Sequence, residues 1–178
     1  SIHWGGLERD AERRYVDDTR AAFDTAGLKP RCWMSPARQQ SFVTPDLIRA
    51  AGFDVCLDWE MDRVPVAMKT ESGPLWAVPL LNELDDRTLL ITRTQSEAEW
   101  SAQILEAVAY TAAEAKTTGG GVVSFTLTPY ISGQPFRIAS LRTVLQTLAR
   151  NPAIWSAGAS AIADAAAINA PPAMPAPR

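Results

Sequence analysis

Gly119-Gly120-Gly121 interrupts a long helical pattern, and the stretch after it constrains the fold more than any other. Val122 to Leu127 is a short apolar, β-branched run closed by Pro129, the profile of a buried strand. A loop with Gly133 and Pro135 follows, then a helical pattern with Ile138, Leu141, Leu145 and Leu148 on one face. Strand, loop and covering helix make one β/α unit. In such folds the loop beyond the strand's C-terminal end is where chemistry usually sits.

The rest of the chain repeats this alternation. Leu7 to Ala26 predicts a helix with Tyr15, Val16, Thr19, Ala22, Phe23 and Ala26 inward and Gly27 as its stop. Its other face, Glu8 to Arg14 with Asp17 and Asp18, is charged and expected to be solvated, Glu12 included. Arg31 to Met34 and Phe53 to Leu57 read as strands, with a short helix from Thr44-Pro45 to Ala51 between them. Asp58 to Ser72 has no clean period and contains Pro65, so it reads as a loop before a strand at Leu75 to Leu81. Ser96 and Glu99 form a capping box for a helix with Trp100, Ile104, Ala107, Val108, Thr111 and Ala115 in one stripe. Ala153 to Ala157 reads as a last short strand, Ser160 to Ile168 as an Ala-rich helix, and 169–178 as a disordered Pro/Ala-rich tail. Helices and strands in this order suggest an α/β fold with a mostly parallel sheet.

The charge balance narrows the function classes. A net charge of −3 over 178 residues offers no electrostatic footprint for nucleic acid or an anionic membrane. No apolar run reaches the length of a membrane span, and the N-terminus lacks a signal-peptide pattern. Cys32 and Cys56 are isolated, in strand-like runs, and are expected to be reduced core thiols of a cytoplasmic protein. His3 is the only histidine, whereas hydrolytic zinc sites usually take two or three, or histidine with carboxylates.

Leu127-Thr128-Pro129-Tyr130-Ile131-Ser132-Gly133-Gln134-Pro135-Phe136-Arg137 resembles the last motif of the polysaccharide deacetylase (NodB-homology) superfamily, in its allantoinase-like cytoplasmic branch. That branch reads Leu-His-Pro there, followed by an apolar pair, Gly-Gln-Pro and an Arg, and its His works in acid/base catalysis. Thr128 stands at that position. The resemblance extends from about Leu7 to Ile168, so the chain is expected to be one deacetylase-like domain over 1–168. The fold it implies is the C-terminal part of a distorted, incomplete (β/α) barrel. On this reading the first strands are not in the sequence. Ser1 in place of Met is consistent with a fragment or a processed chain.

The resemblance marks further strand ends. Trp33-Met34-Ser35-Pro36 is similar to the family's Gly-Trp-Leu-Gly-Pro, so Trp33 lines the substrate pocket or simply packs in the core. Arg38 beyond it binds a carboxylate or ureido group by its planar fork, or is a solvated surface residue. Asp58-Trp59, with Asp62 following, resembles Cys-Asp-Trp and a later Asp, displaced because Leu57 separates Cys56 from Asp58. There Asp58 orients the reacting groups and Trp59 lines the site, or Asp58 caps a loop. Pro79-Leu80-Leu81-Asn82-Glu83-Leu84-Asp85-Asp86 resembles Pro-Tyr-Ser-Asn-Glu-Leu-Asn-Asp, so Glu83 and Asp86 position a substrate amide, or Asp86 caps a turn.

The family's metal site uses an early Asp and a His pair, and neither has a matching counterpart here. A divalent, zinc-like metal is expected for the intact family protein and none for this chain alone. Taken together, the resemblance implies a hydrolase of non-peptide carbon–nitrogen bonds acting on a small amide or N-acetyl substrate, incomplete or impaired by Thr128. The rivals are an inactive relative serving as a binding or partner subunit, and a structural domain alike only in fold. A sheet edge left open by the absent strands would favour a homo-oligomer or a partner chain.

Overall fold

The computed structural model describes residues 6–169, which divide into two units. The first takes the residues up to Cys56, Pro65–Val78 and those from Ala157 on; the second takes Leu57–Val64 and Pro79–Ser156.

In the first unit α1 (Arg9–Thr25) is followed by β1 (Cys32–Trp33), α2 (Thr44–Ala50), β2 (Val55–Cys56), β3 (Val66–Thr70) and β4 (Gly73–Ala77). The sheet order is β1-β2-β4-β3. β1, β2 and β4 run parallel, with Cys32 opposite Val55 and Val55 opposite Trp76, while β3 pairs antiparallel at the edge with Met68 opposite Leu75. Val16, Trp33, Leu47, Ile48, Phe53, Cys56 and Leu75 form the core of this unit. Trp33 and Phe53 meet edge-on with ring centres 5.0 Å apart, a favourable aromatic geometry. The closing helix α6 (Ala159–Asn169) is tied down by Arg31, whose guanidinium lies 2.8 Å from both Asp54 and Asp164. These contacts raise the pKa of Arg31, Asp164 first, and hold the Asp164 carboxyl below its usual range.

Two expectations fail in this unit. The stretch expected to be a loop contains β3, whose alternation (Ala67 and Lys69 out; Val66, Met68 and Thr70 in) is short and half-exposed. Glu12, expected in solvent, is fully buried. It lies four residues before Val16 and therefore shares its inward face. There its Oε1 accepts from the Thr44 hydroxyl, which in turn accepts the Ser41 N–H at 2.9 Å, while Oε2 has no partner.

The second unit is mainly helical. A short turn at Asn82–Leu84 leads into a wide helical turn at Arg87–Thr92, then α3 (Glu97–Thr118), α4 (Pro129–Ser132) and α5 (Ile138–Ala149). Its core joins Leu89 and Leu90 of the wide turn to Trp100 and Ile104 of α3, Ile131 of α4 and Val144 of α5. α3 begins with the expected capping box: Glu99 N–H donates to Ser96 Oγ at 3.3 Å, and Ser96 N–H donates to Glu99 Oε2 at 2.8 Å. Gly119 ends it at φ +87°, a backbone angle that favours glycine. On α5 the inward stripe runs through Leu141, Val144 and Leu148; Leu145, expected inside, is 44% exposed.

The run Val122 to Leu127 is not the buried strand its composition suggests. Residues 121–128 form no strand ladder; Val122 to Phe125 and Thr128 are half-buried, and Gly121, Thr126 and Leu127 are exposed. The facing segment starts at Pro79, which has no N–H to offer, so side chains supply the pairing instead. Ser124 Oγ donates to Pro79 O at 2.9 Å and accepts Leu81 N–H at 3.0 Å, and Val122 N–H reaches Arg63 O at 2.8 Å. The expected strand at Ala153 to Ala157 is absent as well. Asn151 caps Ala153 N–H at 3.0 Å, and Trp155 is 63% exposed.

Among the described residues no helix is long and apolar enough to cross a membrane, and Cys32 and Cys56 are free thiols. The expected tail lies outside the described residues apart from Asn169, the last residue of α6.

Candidate active site

Two segments of the second unit meet where the sequence concentrates its polar residues. The tandem Asp85-Asp86 stands between the Asn82–Leu84 turn and the wide turn that follows. Asp86 N–H donates to Thr126 O at 3.2 Å, Thr126 N–H donates to Asp85 Oδ1 at 2.8 Å, and Thr128 N–H donates to Asp86 Oδ2 at 2.6 Å. Three bonds in register thus clamp 126–128 to 85–86, and two of the three use a carboxylate in place of a backbone carbonyl. Hydrogen bonds to ionisable acceptors are the strong ones, which suits a segment without a ladder.

Asp86 is fully buried, and its second oxygen, Oδ1, has no hydrogen-bond partner. Such an atom is costly to bury, and in native proteins it marks stored strain or a chemical role. Beside it Thr128 is half-buried. The Thr128 carbonyl starts α4, accepting from Ile131 N–H at 2.8 Å and Ser132 N–H at 3.1 Å. The Thr128 hydroxyl has no hydrogen-bond partner among the described residues. The site therefore offers one uncommitted carboxylate oxygen and one uncommitted hydroxyl.

The loop beyond is fixed from both ends. A side chain at Gly133 would bring its Cβ to 2.4 Å from Pro129 O, so the turn closes tightly only with glycine there. Gln134 Nε2 donates to Tyr130 O at 2.9 Å, and Arg137 Nε donates to Glu97 Oε1 at 2.9 Å. The Glu97 carboxyl is held below the usual carboxylate range by its own backbone N–H first and by Arg137 second.

The other sequence candidates scatter. Glu83 forms an ion pair with Arg93 between exposed side chains. Asp58 is half-buried and Trp59 is 38% exposed, in the Leu57–Val64 segment of the same unit. That segment is tied to the Asn82–Leu84 turn through Glu60, whose Oε1 accepts Asn82 N–H at 3.1 Å. Trp33 and Arg38 belong to the first unit. Trp33 is a core residue there, with its indole N–H on Ser35 Oγ at 3.1 Å. Arg38 is half-buried, in a turn where Ala37 and Arg38 both have φ near +53°. Of the candidates, the structure brings Asp86 and Thr128 into direct contact. The sequence reading passed over Asp85, Ser124 and Glu60. Asp85 had a signal: it is adjacent to Asp86 within the quoted motif.

The described donors around Asp86 and Thr128 do not by themselves make up a divalent-metal ligand set. Among the described residues no three His, Cys, Asp or Glu side chains come together, and one Asp86 oxygen is committed to a backbone N–H. His3 lies outside the described residues.

No family profile matches the sequence, and no curated protein matches it. Solved structures do. A protein named as a polysaccharide deacetylase from Mycobacterium smegmatis is 22% identical with a TM-score of 0.76, covering 97% of this chain and 63% of its own. Another so named, from Pseudomonas aeruginosa PAO1, is 20% identical at 0.78, covering 93% and 56%. The PuuE allantoinase is 18% identical at 0.80, covering 94% and 56%. The chain thus shares a mixed α/β fold, with a four-stranded sheet, with these solved structures, and it spans about three-fifths of their length.

Proposed function

We propose that the protein is a hydrolase of non-peptide carbon–nitrogen bonds, built on a polysaccharide-deacetylase-type (β/α) barrel and impaired at its acid/base position. The fold shared with two polysaccharide deacetylases and an allantoinase supports the class. The observation that carries the reading is the Asp86–Thr128 contact, because it brings together two motifs read separately from the sequence. Asp86 fixes the peptide of residue 128, so whatever side chain stands there is aimed by a buried carboxylate. A threonine hydroxyl donates one hydrogen bond to an amide carbonyl and so polarises it. It cannot take up and release protons near neutral pH as histidine does. Asp58 and Glu83, on segments joined by the Glu60–Asn82 hydrogen bond, would orient the amide N–H, Glu83 by exchanging its ion pair with Arg93 for the substrate. The substrate is a small amide or N-acetyl compound. Free Cys32 and Cys56 support a cytoplasmic setting.

Thr128 favours a second reading, an inactive relative that binds a ligand or a partner subunit. Turnover separates the two. The full-length protein is assayed on allantoin, a cyclic imide and an N-acetyl sugar, with binding measured in parallel by calorimetry. Slow hydrolysis, well below about 1 s⁻¹, is the expected result. Binding without any hydrolysis favours the second reading, and neither binding nor hydrolysis overturns both.

A further inference from the structure

The clamp that holds Thr128 has a further rung. Arg87 follows Asp86, and Tyr130 lies two residues beyond Thr128. The Arg87 guanidinium sits over the Tyr130 ring at 5.6 Å from its centre, and its Nη2 donates to the phenol oxygen. Both side chains are exposed, Tyr130 by 64%.

Of the six arginines in this unit, Arg87, Arg142 and Arg150 have no carboxylate partner among the described residues, and of these three Arg87 is the one stacked on and bonded to a phenol. Arg63, Arg93 and Arg137 are each matched to a glutamate, Glu114, Glu83 and Glu97 respectively. Arg87 is held by a neutral phenol, and among the described residues no carboxylate pairs with it. A guanidinium carries five N–H donors in a planar fork. The phenol takes one of them, and the ring face orients the plane without cancelling its charge. What remains is a preoriented cation with free donors, one residue from the buried Asp86 carboxylate.

We propose that Arg87, oriented by Tyr130, is a carboxylate-binding position beside Thr128, and that the ligand of this site is a small amide carrying a carboxylate group. The inference rests on the hydrolase reading for the word substrate, but not for the binding itself. Carboxylate oxygens match the guanidinium fork in two parallel hydrogen bonds. Tyr130 has already removed part of the rotamer freedom that such a bond must otherwise overcome.

The test compares N-acetylglycine with its neutral isostere N-acetylglycinamide on the full-length protein, by calorimetry at low salt. N-acetylglycine is expected to bind more tightly. Arg87→Ala is expected to weaken it by about tenfold and leave N-acetylglycinamide unchanged. Arg87→Lys is expected to restore part of the loss, since an ammonium supplies charge without the fork. Thermal melting checks that both variants fold. Equal binding of the two probes by the native protein overturns the proposal, as does an equal loss of both in Arg87→Ala. Inorganic phosphate binding as well as N-acetylglycine also overturns it, by showing a general anion site. Because the readout is binding, absence of hydrolysis would sink the hydrolase reading alone. Hydrolysis of neutral amides without carboxylate preference would sink this inference alone.

Discussion

Replacing Asp86 by alanine should loosen one amide before it loosens the protein. In the native chain the Asp86 carboxylate accepts Thr128 N–H at 2.6 Å from a fully buried position. A hydrogen bond to a charged group contributes about 1.5–3 kcal/mol. Asp86 Oδ1, however, is buried with no partner, and that burial costs about 1–3 kcal/mol, which truncation relieves. The two effects offset, so the expected net loss is about 1 kcal/mol, well under the roughly 3–5 kcal/mol for breaking a fully satisfied buried pair. Asp86→Asn keeps a neutral acceptor for Thr128 and should cost about 1 kcal/mol, the difference between a charged and a neutral acceptor. The local signature is sharper than the global one. Thr126 N–H is held by Asp85, and Asp86's own N–H still reaches Thr126 O, so only Thr128 loses its partner. Native-state hydrogen exchange should therefore show the Thr128 amide at least about tenfold faster in Asp86→Ala, with Thr126 little changed. Urea titration reads the global term. A global loss of about 3 kcal/mol or more, or unchanged exchange at Thr128, would refute this account of the clamp.

Two further perturbations test the second unit. Val144→Ala should cost about 2 kcal/mol in urea titration and Leu145→Ala under about 1 kcal/mol, since Val144 is fully buried and Leu145 is 44% exposed; the reverse order would mean that α5 is rotated. Ser96→Ala removes the capping box and should cost about 1 kcal/mol. The Glu99 carboxyl is held low by the Ser96 hydroxyl first, then by the Ser96 N–H; Glu97 is also held low. Folded values below the unfolded ones mean that their contribution is present above the ordinary carboxylate value of 4.5 and is lost as pH falls from there through the folded values. Amide chemical shifts in the first turn of α3 should move in that window, and should do so less in Ser96→Ala; pH-independent shifts there would contradict the assignment.

Much of the framework was legible because local signals agreed with tertiary demands. Ser96 and Glu99 announced α3, Gly119 ended it, and the parallel strands β1, β2 and β4 stood out as short apolar runs. The failures have specific causes. β3 is an edge strand whose five residues carry a weak, half-exposed alternation that Pro65 disguised. Val122 to Leu127 has strand composition, but its neighbour begins with a proline, and a single sequence does not show which segment a strand will face. Glu12 looked like surface because its sequence neighbours are charged, whereas its spacing from Val16 placed it inside. Asp86 and Thr128 were each singled out by motif resemblance as candidates. Their contact was not, because it joins positions 42 residues apart through a side chain rather than a ladder. Arg87 and Tyr130 escaped notice for the same reason.

The central claim is that residue 128 occupies the acid/base position of a carbon–nitrogen hydrolase and that threonine leaves it short of a proton carrier. The most direct measurement is the rate of amide hydrolysis by the full-length Thr128→His protein against the native one, on the preferred member of the same substrate panel. A placed general acid/base contributes about 10²–10⁴-fold, so even an imperfectly seated imidazole should raise the rate by at least about tenfold. A native protein that already turns over at an ordinary enzymatic rate, and is slowed by histidine, would contradict the claim and give Thr128 a different role.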